Sequence, residues 1–179
     1  MINIILLGDL NDTSVSEVLS PALARYGGVK YVSQNILYES SAEPEFLLLD
    51  CEMLPKLEIK GGILLFKNSV PEQKNFCIPN GFVNIMESKN ARAAAMLQKA
   101  GASAVTCGSG PKDTLSIAGL ENNAAALSLQ RNLKILNGNI LEPRDFNVKF
   151  AEKRSPHQIL STCAVLLAAG VDPSQGYAI

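Results

Sequence analysis

Few residues of this 179-residue sequence combine a reactive side chain with a position suited to chemistry. Asp50 ends an apolar run, and a carboxylate there can either bind Mg²⁺ or cap a turn. His157 is the single histidine of the chain; close to a helix start, it either forms local hydrogen bonds or contacts a ligand. No serine or cysteine stands in a G-x-S-x-G context, so the sequence predicts no nucleophile and no catalytic residue.

Alternating buried strands and helices must position these residues. The apolar run 2–7 ends in a glycine, which is typical of a strand buried on both faces of a parallel sheet. A helix capped by Thr13 or Ser14 should follow and be stopped by Gly27-Gly28. A second, alanine-rich helix is predicted from Asn90 to Ala100. Further strands are predicted over 29–33, 46–50, 62–66, 82–85 and 104–107. This alternation predicts a doubly wound α/β fold.

After Pro111 the pattern changes. Segments 115–120, 124–136 and 140–150 are typical of an antiparallel meander with an Asn137-Gly138 hairpin turn. Ser155-Pro156 should open a closing helix that ends at Gly170. We predict one domain over 1–179, made of a doubly wound part (1–110), a meander (111–152) and a closing helix (153–170).

Composition excludes several classes of function. Hydrophobic residues make up 47% and the formal charge is -1, so no global field favours nucleic acid or an anionic membrane. No stretch approaches the roughly 20 apolar residues of a membrane span, and the start lacks a signal-peptide pattern. Four widely spaced cysteines predict buried thiols in a reducing compartment rather than a zinc site. The cytoplasm is the predicted location.

Six segments follow one another in the order of a known family's motifs: 8–14, 46–52, 67–73, 82–87, 104–108 and 156–164. Together they resemble the central, ATP-binding domain of the Mur ligases, which join amino acids to a peptidoglycan precursor of the bacterial cell wall. The resemblance runs from Ile4 to about Asp172. It implies a P-loop-NTPase-like or Rossmann-like α/β fold: a mostly parallel sheet flanked by helices, with a small antiparallel meander before the C-terminal helix.

The first of these segments departs from the family in charge. Gly8 and the hydroxyls of Thr13 and Ser14 match the family's phosphate-binding loop G-T-N-G-K-T-T/S. At the position of the loop's inner glycine, however, this chain has Asn11, and at the position of its lysine it has Asp12. An anion in place of a cation about 4 Å from a phosphate turns attraction into repulsion worth several kcal/mol at an effective dielectric near 20. The resemblance therefore implies a P-loop that no longer binds ATP.

The remaining segments match in part. By resemblance, Asp50 stands at the metal-binding acid, Asn84 and Glu87 match the V-x-N-x-D-D motif, and His157 lies near the nucleotide. Gln73 stands at the position of the family's metal-binding histidine. The family's carbamylated lysine has no secure equivalent between Lys74 and Gly81.

The sequence favours a non-catalytic Mur-ligase-like domain with a degenerate P-loop, no cofactor, and a structural, binding or regulatory role. The alternative is a nucleotide- or small-ligand-binding enzyme or enzyme subunit related to ATP-dependent amide ligases, with ATP and Mg²⁺. Its residual cleft would be lined by Gly8, Thr13, Ser14, Asn84, Glu87 and His157, with Asp50 for a metal. The partner would be an unknown protein or a small ligand. The meander leucines 127, 129 and 133 could mediate self-association into a homo-oligomer, or pack in the core.

Overall fold

A mixed sheet runs through residues 1–73, 76–78 and 80–179, which the structure, a computed structural model, describes. Within those ranges the sheet has eleven strands. They are β1 (Ile2–Leu7), β2 (Val29–Val32), β3 (Leu37–Glu39), β4 (Phe46–Cys51), β5 (Gly62–Phe66), β6 (Phe82–Glu87), β7 (Val105–Gly108), β8 (Leu115–Leu120), β9 (Ala124–Leu129), β12 (Arg144–Lys149) and β13 (Tyr177–Ala178). A separate hairpin comprises β10 (Leu133–Lys134) and β11 (Ile140–Leu141), and the described helices are α1 (Ser16–Gly27), α2 (Ala91–Lys99) and α3 (Pro156–Ala169).

The strand order is β13-β12-β9-β8-β7-β6-β5-β1-β4-β2-β3. From β2 to β8 every neighbouring pair is parallel, and β3 and β9 join this block antiparallel. β1 lies between β4 and β5, so the chain order reverses there. In open α/β sheets ligands bind at such a switch point, beyond the carboxyl ends of the strands.

Both faces of β1 are covered, which explains its unbroken apolar sequence. Ile4 and Leu6 pack into the core that α1 and α3 share, whereas Ile5 and Leu7 pack into the core of α2. Successive side chains of a strand point to opposite faces, so a central strand needs apolar residues at every position. The predicted mostly parallel α/β fold is confirmed.

The meander continues the main sheet, since β8 pairs with β7 and β9 pairs with both β8 and β12. The prediction of one strand over 124–136 was wrong: β9 ends at Leu129, and Leu133–Lys134 pairs with Ile140–Leu141 across the predicted Asn137-Gly138 turn. The three meander leucines are buried in the core, so they offer no exposed surface for self-association.

Two of the three described helices have a side-chain cap at the N-terminus. Ser155 caps α3 through a capping box, and Gly170 ends it in the left-handed conformation at φ 85°. Asn90 caps α2 by accepting from the amide of Ala93. The predicted cap of α1 was wrong: Val15 occupies the cap position and no side chain caps the helix.

The prediction of buried thiols was correct for two of the four cysteines. Cys107 and Cys163 are buried, Cys51 is half-buried, and Cys77 is exposed because it lies in the loop between β5 and β6. Burial raises the pKa of the Cys51 thiol to about 11. Among the helices that the structure describes, none is long and apolar enough to cross a membrane.

Candidate functional site

An ammonium group lies inside the loop that follows β1. Lys67, the first residue after β5, is completely buried, and its Nζ lies 2.7 Å from Oδ1 of Asp50 at the end of β4. The same Nζ donates hydrogen bonds to the backbone oxygens of Asp12 (2.8 Å) and Asp9 (3.1 Å). Lysine has three N–H donors. Two of them have carbonyl partners, and together with the ion pair to Asp50 these bonds offset the cost of burying the charge.

Close packing explains how Lys67 reaches the loop. Its backbone amide donates to the carbonyl of Leu7 at 2.9 Å, which extends the pairing of β5 with β1 by one residue. A Cβ atom on Gly8 would stand 2.6 Å from the Cβ of Lys67. Real side chains do not approach so closely, so glycine at position 8 is needed to admit the lysine stem. A phosphate is not required to explain this glycine.

The loop directs its carbonyl oxygens inward. The amide of Asp12 donates to the carbonyl of Asp9 at 3.1 Å, and the side chain of Asp9 accepts from the amide of Asn11 at 2.8 Å, which together make a tight turn. Anion-binding loops present successive N–H groups to their ligand instead. The polarity of this loop suits a cation.

The Asp12 carboxylate is also held within the fold. Its Oδ1 accepts from the hydroxyl of Ser14 at 2.6 Å, and its Oδ2 accepts from the hydroxyl of Ser69 at 2.7 Å. Burial acts to raise the pKa of Asp12, but these hydrogen bonds outweigh burial and the pKa is lowered. The group is therefore ionised at neutral pH. For Asp50, burial raises the pKa and the contact with Lys67 opposes the shift.

A second cluster forms where β6 ends and α3 begins. Nδ1 of His157 lies 3.2 Å from Oε2 of Glu87. The same Oε2 also accepts a hydrogen bond from the side-chain amide of Asn68. Burial lowers the pKa of His157, and the nearby charge of Glu87 opposes that shift. Nδ1 also lies within hydrogen-bond distance of the hydroxyl of Ser161, at 3.4 Å. Nε2 of His157 is buried and has no hydrogen-bond partner among the described residues.

This cluster lines a cavity of about 510 Å³. Its lining combines polar and apolar residues, among them Asn68, Glu87, Lys89, His157, Ile117, Leu120 and Leu160. Such a mixture is common in small-ligand sites.

The predicted cleft residues do not all converge. Glu87 and His157 are in contact. Asp50 is buried and paired with Lys67, and the side chain of Asn84 donates to the carbonyl of Ser103 at 3.0 Å. Asn84 precedes Glu87 by three residues, so it points to the opposite face of β6 and lies about 10 Å further back along the strand. It lines a different cavity, of about 640 Å³, with the β10–β11 hairpin.

The predicted hydroxyl ligands have protein partners of their own. Thr13 donates to the carboxylate of Glu17, and Ser14 donates to Asp12. Gln73, at the position of the family's histidine, bonds the amide of Leu54 and the carbonyl of Glu52. The segment from Lys74 to Gly81, in which an equivalent of the family's carbamylated lysine was sought, includes Lys74, which lies outside the described residues.

Comparison with known proteins gives a fold. No protein-family model matches the sequence, and no curated protein matches it. Solved structures do: MurF from Acinetobacter baumannii matches 98% of this chain and 44% of that chain at TM-score 0.60 and 13% identity. The chain has a Mur-ligase-like α/β fold.

Two further structures support this Mur-ligase-like fold. UDP-N-acetylmuramate:L-alanyl-gamma-D-glutamyl-meso-diaminopimelate ligase from Neisseria meningitides gives a TM-score of 0.57 at 10% identity and covers 97% of this chain and 63% of that one. Folylpolyglutamate synthetase from Lactobacillus casei gives 0.51 at 8% identity and covers 97% and 60%. The chain thus spans about half the length of these neighbours, and identities this low show the fold alone.

Lys67 is the site residue that sequence reasoning missed. In segment 67–73, which resembles the Mur-ligase motif T-N-h-x-P-D-H, Lys67 stands at the threonine of the motif, and Asp12 stands at the lysine of the phosphate-binding loop that segment 8–14 resembles. In this chain the ammonium at the loop comes from the residue that follows β5, the strand paired with β1. A lysine directly after an all-apolar strand was the available signal, because its stem must pass through the core.

The two clusters of this Mur-ligase-like fold are joined. Asn68 follows Lys67 directly and donates to Glu87. Gln158, next to His157, donates through Nε2 to the carbonyl of Ser14 at 2.8 Å and so ties α3 to the loop. Among the described residues, no three His, Cys, Asp or Glu side chains gather as a metal site.

Proposed function

We propose that this protein is a non-catalytic Mur-ligase-like domain with a structural, binding or regulatory role in the cytoplasm, in which the loop after β1 does not hold ATP. A single observation carries the proposal: the Lys67 ammonium lies inside that loop and is bonded to the carbonyls of Asp9 and Asp12. The interaction partner is a protein or a small ligand. The formal charge of -1 argues against nucleic acid and against an anionic membrane as partners.

Charge at the loop supports this proposal. One ammonium, that of Lys67, is bonded to the carbonyls of Asp9 and Asp12, and its charge is already paired with the carboxylate of Asp50. A triphosphate would meet carboxylate and carbonyl oxygens rather than amide N–H groups. At an effective dielectric near 20, each unpaired anion about 4 Å from a phosphate costs about 4 kcal/mol. Mg²⁺ does not fit either, because Asp50 is occupied by Lys67.

The test is direct binding of nucleotide to the unmodified protein. We expect no heat of binding and no rise in melting temperature with millimolar ATP and Mg²⁺, and no release of phosphate. Parallel titrations with Mg²⁺ alone and with ADP separate the metal from the nucleotide. A rise of several degrees with ATP, or turnover above a boiled control, would overturn the proposal.

A second candidate function rests on the Glu87–His157 cavity. An enzyme or enzyme subunit could bind a nucleotide or another small ligand there, with Glu87 and His157 as polar contacts and Leu120 against the apolar part. The observation that favours it is that the Glu87–His157 pair lies in the lining of this cavity, together with apolar side chains.

His157 provides the readout for this candidate, because the chain has one histidine. Adenosine and AMP are titrated while the ring resonances of His157 are followed by NMR. The second candidate requires a saturable shift that is lost in Glu87→Gln and kept in the exposed control Glu121→Gln. Unchanged resonances at millimolar ligand would remove nucleosides from consideration and favour the first proposal.

A further inference from the structure

The oxygen atoms around the Lys67 ammonium form a cage with a defined composition. They are one carboxylate oxygen, Oδ1 of Asp50, and two carbonyl oxygens, those of Asp9 and Asp12. Three separate chain segments supply the lysine and these ligands. We propose that this cage is a latent binding site for a monovalent cation, which the native chain fills with its own lysine.

The cage does not depend on the lysine for its shape. The Asp9–Asp12 turn is closed by its own hydrogen bonds, and Oδ2 of Asp50 accepts from the hydroxyl of Tyr31 at 3.2 Å. Ser69 fixes the Asp12 side chain independently. Each cage residue therefore has an anchor besides Lys67, so the oxygens should stay near their positions when the lysine side chain is shortened.

The distances select the kind of cation. The cage oxygens lie 2.7, 2.8 and 3.1 Å from Nζ. Mg²⁺ binds oxygen at about 2.0–2.1 Å and Ca²⁺ at about 2.3–2.6 Å with six or more ligands, so either ion would require the cage to contract and to recruit further oxygens. An ammonium or potassium ion fits without contraction, and backbone carbonyls are the ligands that potassium takes in selectivity filters.

The test replaces the covalent cation by a free one. Lys67→Ala empties the cage and the channel left by the stem, whereas Lys67→Met keeps the volume of the stem and blocks the cage without a charge. Melting temperatures are measured at equal ionic strength in ammonium, potassium and tetramethylammonium chloride. We expect Lys67→Ala to be stabilised by several degrees in ammonium or potassium relative to tetramethylammonium. The wild type and Lys67→Met should not distinguish the three salts.

Equal responses of Lys67→Ala and Lys67→Met, or no preference of Lys67→Ala among the three salts, would overturn the inference. If Lys67→Ala does not fold in tetramethylammonium, recovery of folded protein on refolding becomes the readout. Failure to recover it in ammonium and potassium as well would also overturn the inference. The result is independent of the ATP proposal, which concerns the wild type with Lys67 in place.

Discussion

The ammonium of Lys67 and the carboxylate of Asp50 form an ion pair of 2.7 Å in which neither side chain reaches solvent. Removing one partner of a buried pair leaves an uncompensated charge, which typically costs about 3–5 kcal/mol. We expect Lys67→Met to lower the free energy of unfolding in urea by about that amount. The double variant Asp50→Asn/Lys67→Met should recover much of the loss, because no charge is then left unpaired.

The exposed Lys99–Glu72 pair, 3.6 Å apart, provides the control for this cycle. Lys99→Met should change stability by less than about 1 kcal/mol, since exposed pairs contribute little. If the double variant were no more stable than Lys67→Met, the Asp50 charge would not be what destabilises the single variant.

Asp12 should stabilise the loop in a pH-dependent way. Because its pKa in the fold is lowered, its contribution is present above its ordinary pKa and is lost as the pH falls through the lower native value. Asp12→Ala leaves the hydroxyls of Ser14 and Ser69 without their acceptor and should cost about 1–3 kcal/mol at neutral pH. Chemical denaturation between pH 7 and pH 3 should show a smaller acid-induced loss in Asp12→Ala than in the wild type.

Asp145, an exposed residue of β12, gives the matched control for that comparison. Asp145→Ala should retain the stability of the wild type at neutral pH and its acid profile. A parallel acid profile of Asp12→Ala and the wild type would contradict the assigned role of Asp12.

His157 should titrate below its ordinary value near 6.5, because burial disfavours the imidazolium. Glu87 opposes this shift, so Glu87→Gln should lower the pKa of His157 further, whereas Glu121→Gln should leave it unchanged. The group contributes stability above about pH 6.5 that is lost as the pH falls toward the native pKa, since the unfolded chain binds the proton more readily. NMR titration measures both pKa values, and a pKa raised by Glu87→Gln would contradict the geometry.

The capping box of α3 should contribute measurably to the free energy of unfolding. Ser155 accepts from the amide of Gln158, and the Gln158 side chain accepts from the amide of Ser155. Ser155→Ala should therefore lower the free energy of unfolding by about 1 kcal/mol. Gln158→Ala should cost more, because it also removes the bond to the carbonyl of Ser14. Ser41→Ala, at an exposed position, serves as the control; equal stability of all three variants would count against the box.

Much of the fold could be predicted because its information is local. The strand at 62–66 is a run of residues buried on both faces, and the ends of α3 are set by Ser155 and Gly170. β3 and β13 could not be found in this way. Leu37–Glu39 is exposed throughout and Tyr177–Ala178 has two residues, so both depend on pairing with a neighbouring strand rather than on their own hydropathy.

The candidate site was less predictable, because charges in it are balanced across distant segments. The alignment of β1, β4 and β5 brings Asp12 to Ser69 and Lys67 to Asp50. No local sequence pattern encodes this alignment. The separation of Asn84 from Glu87 was accessible, since residues three apart on a strand face opposite sides.

The direct pairing of β8 with β7 has a mechanical consequence. The sheet passes without interruption from β3 to β13, and the amide of Ala178 donates to the hydroxyl of Tyr26 at the end of α1. Within the described residues the parallel and antiparallel portions therefore belong to one continuous sheet. Movement of one portion against the other within this part of the chain would have to break the pairing of Cys107 with Leu115 and of Gly108 with Ser116.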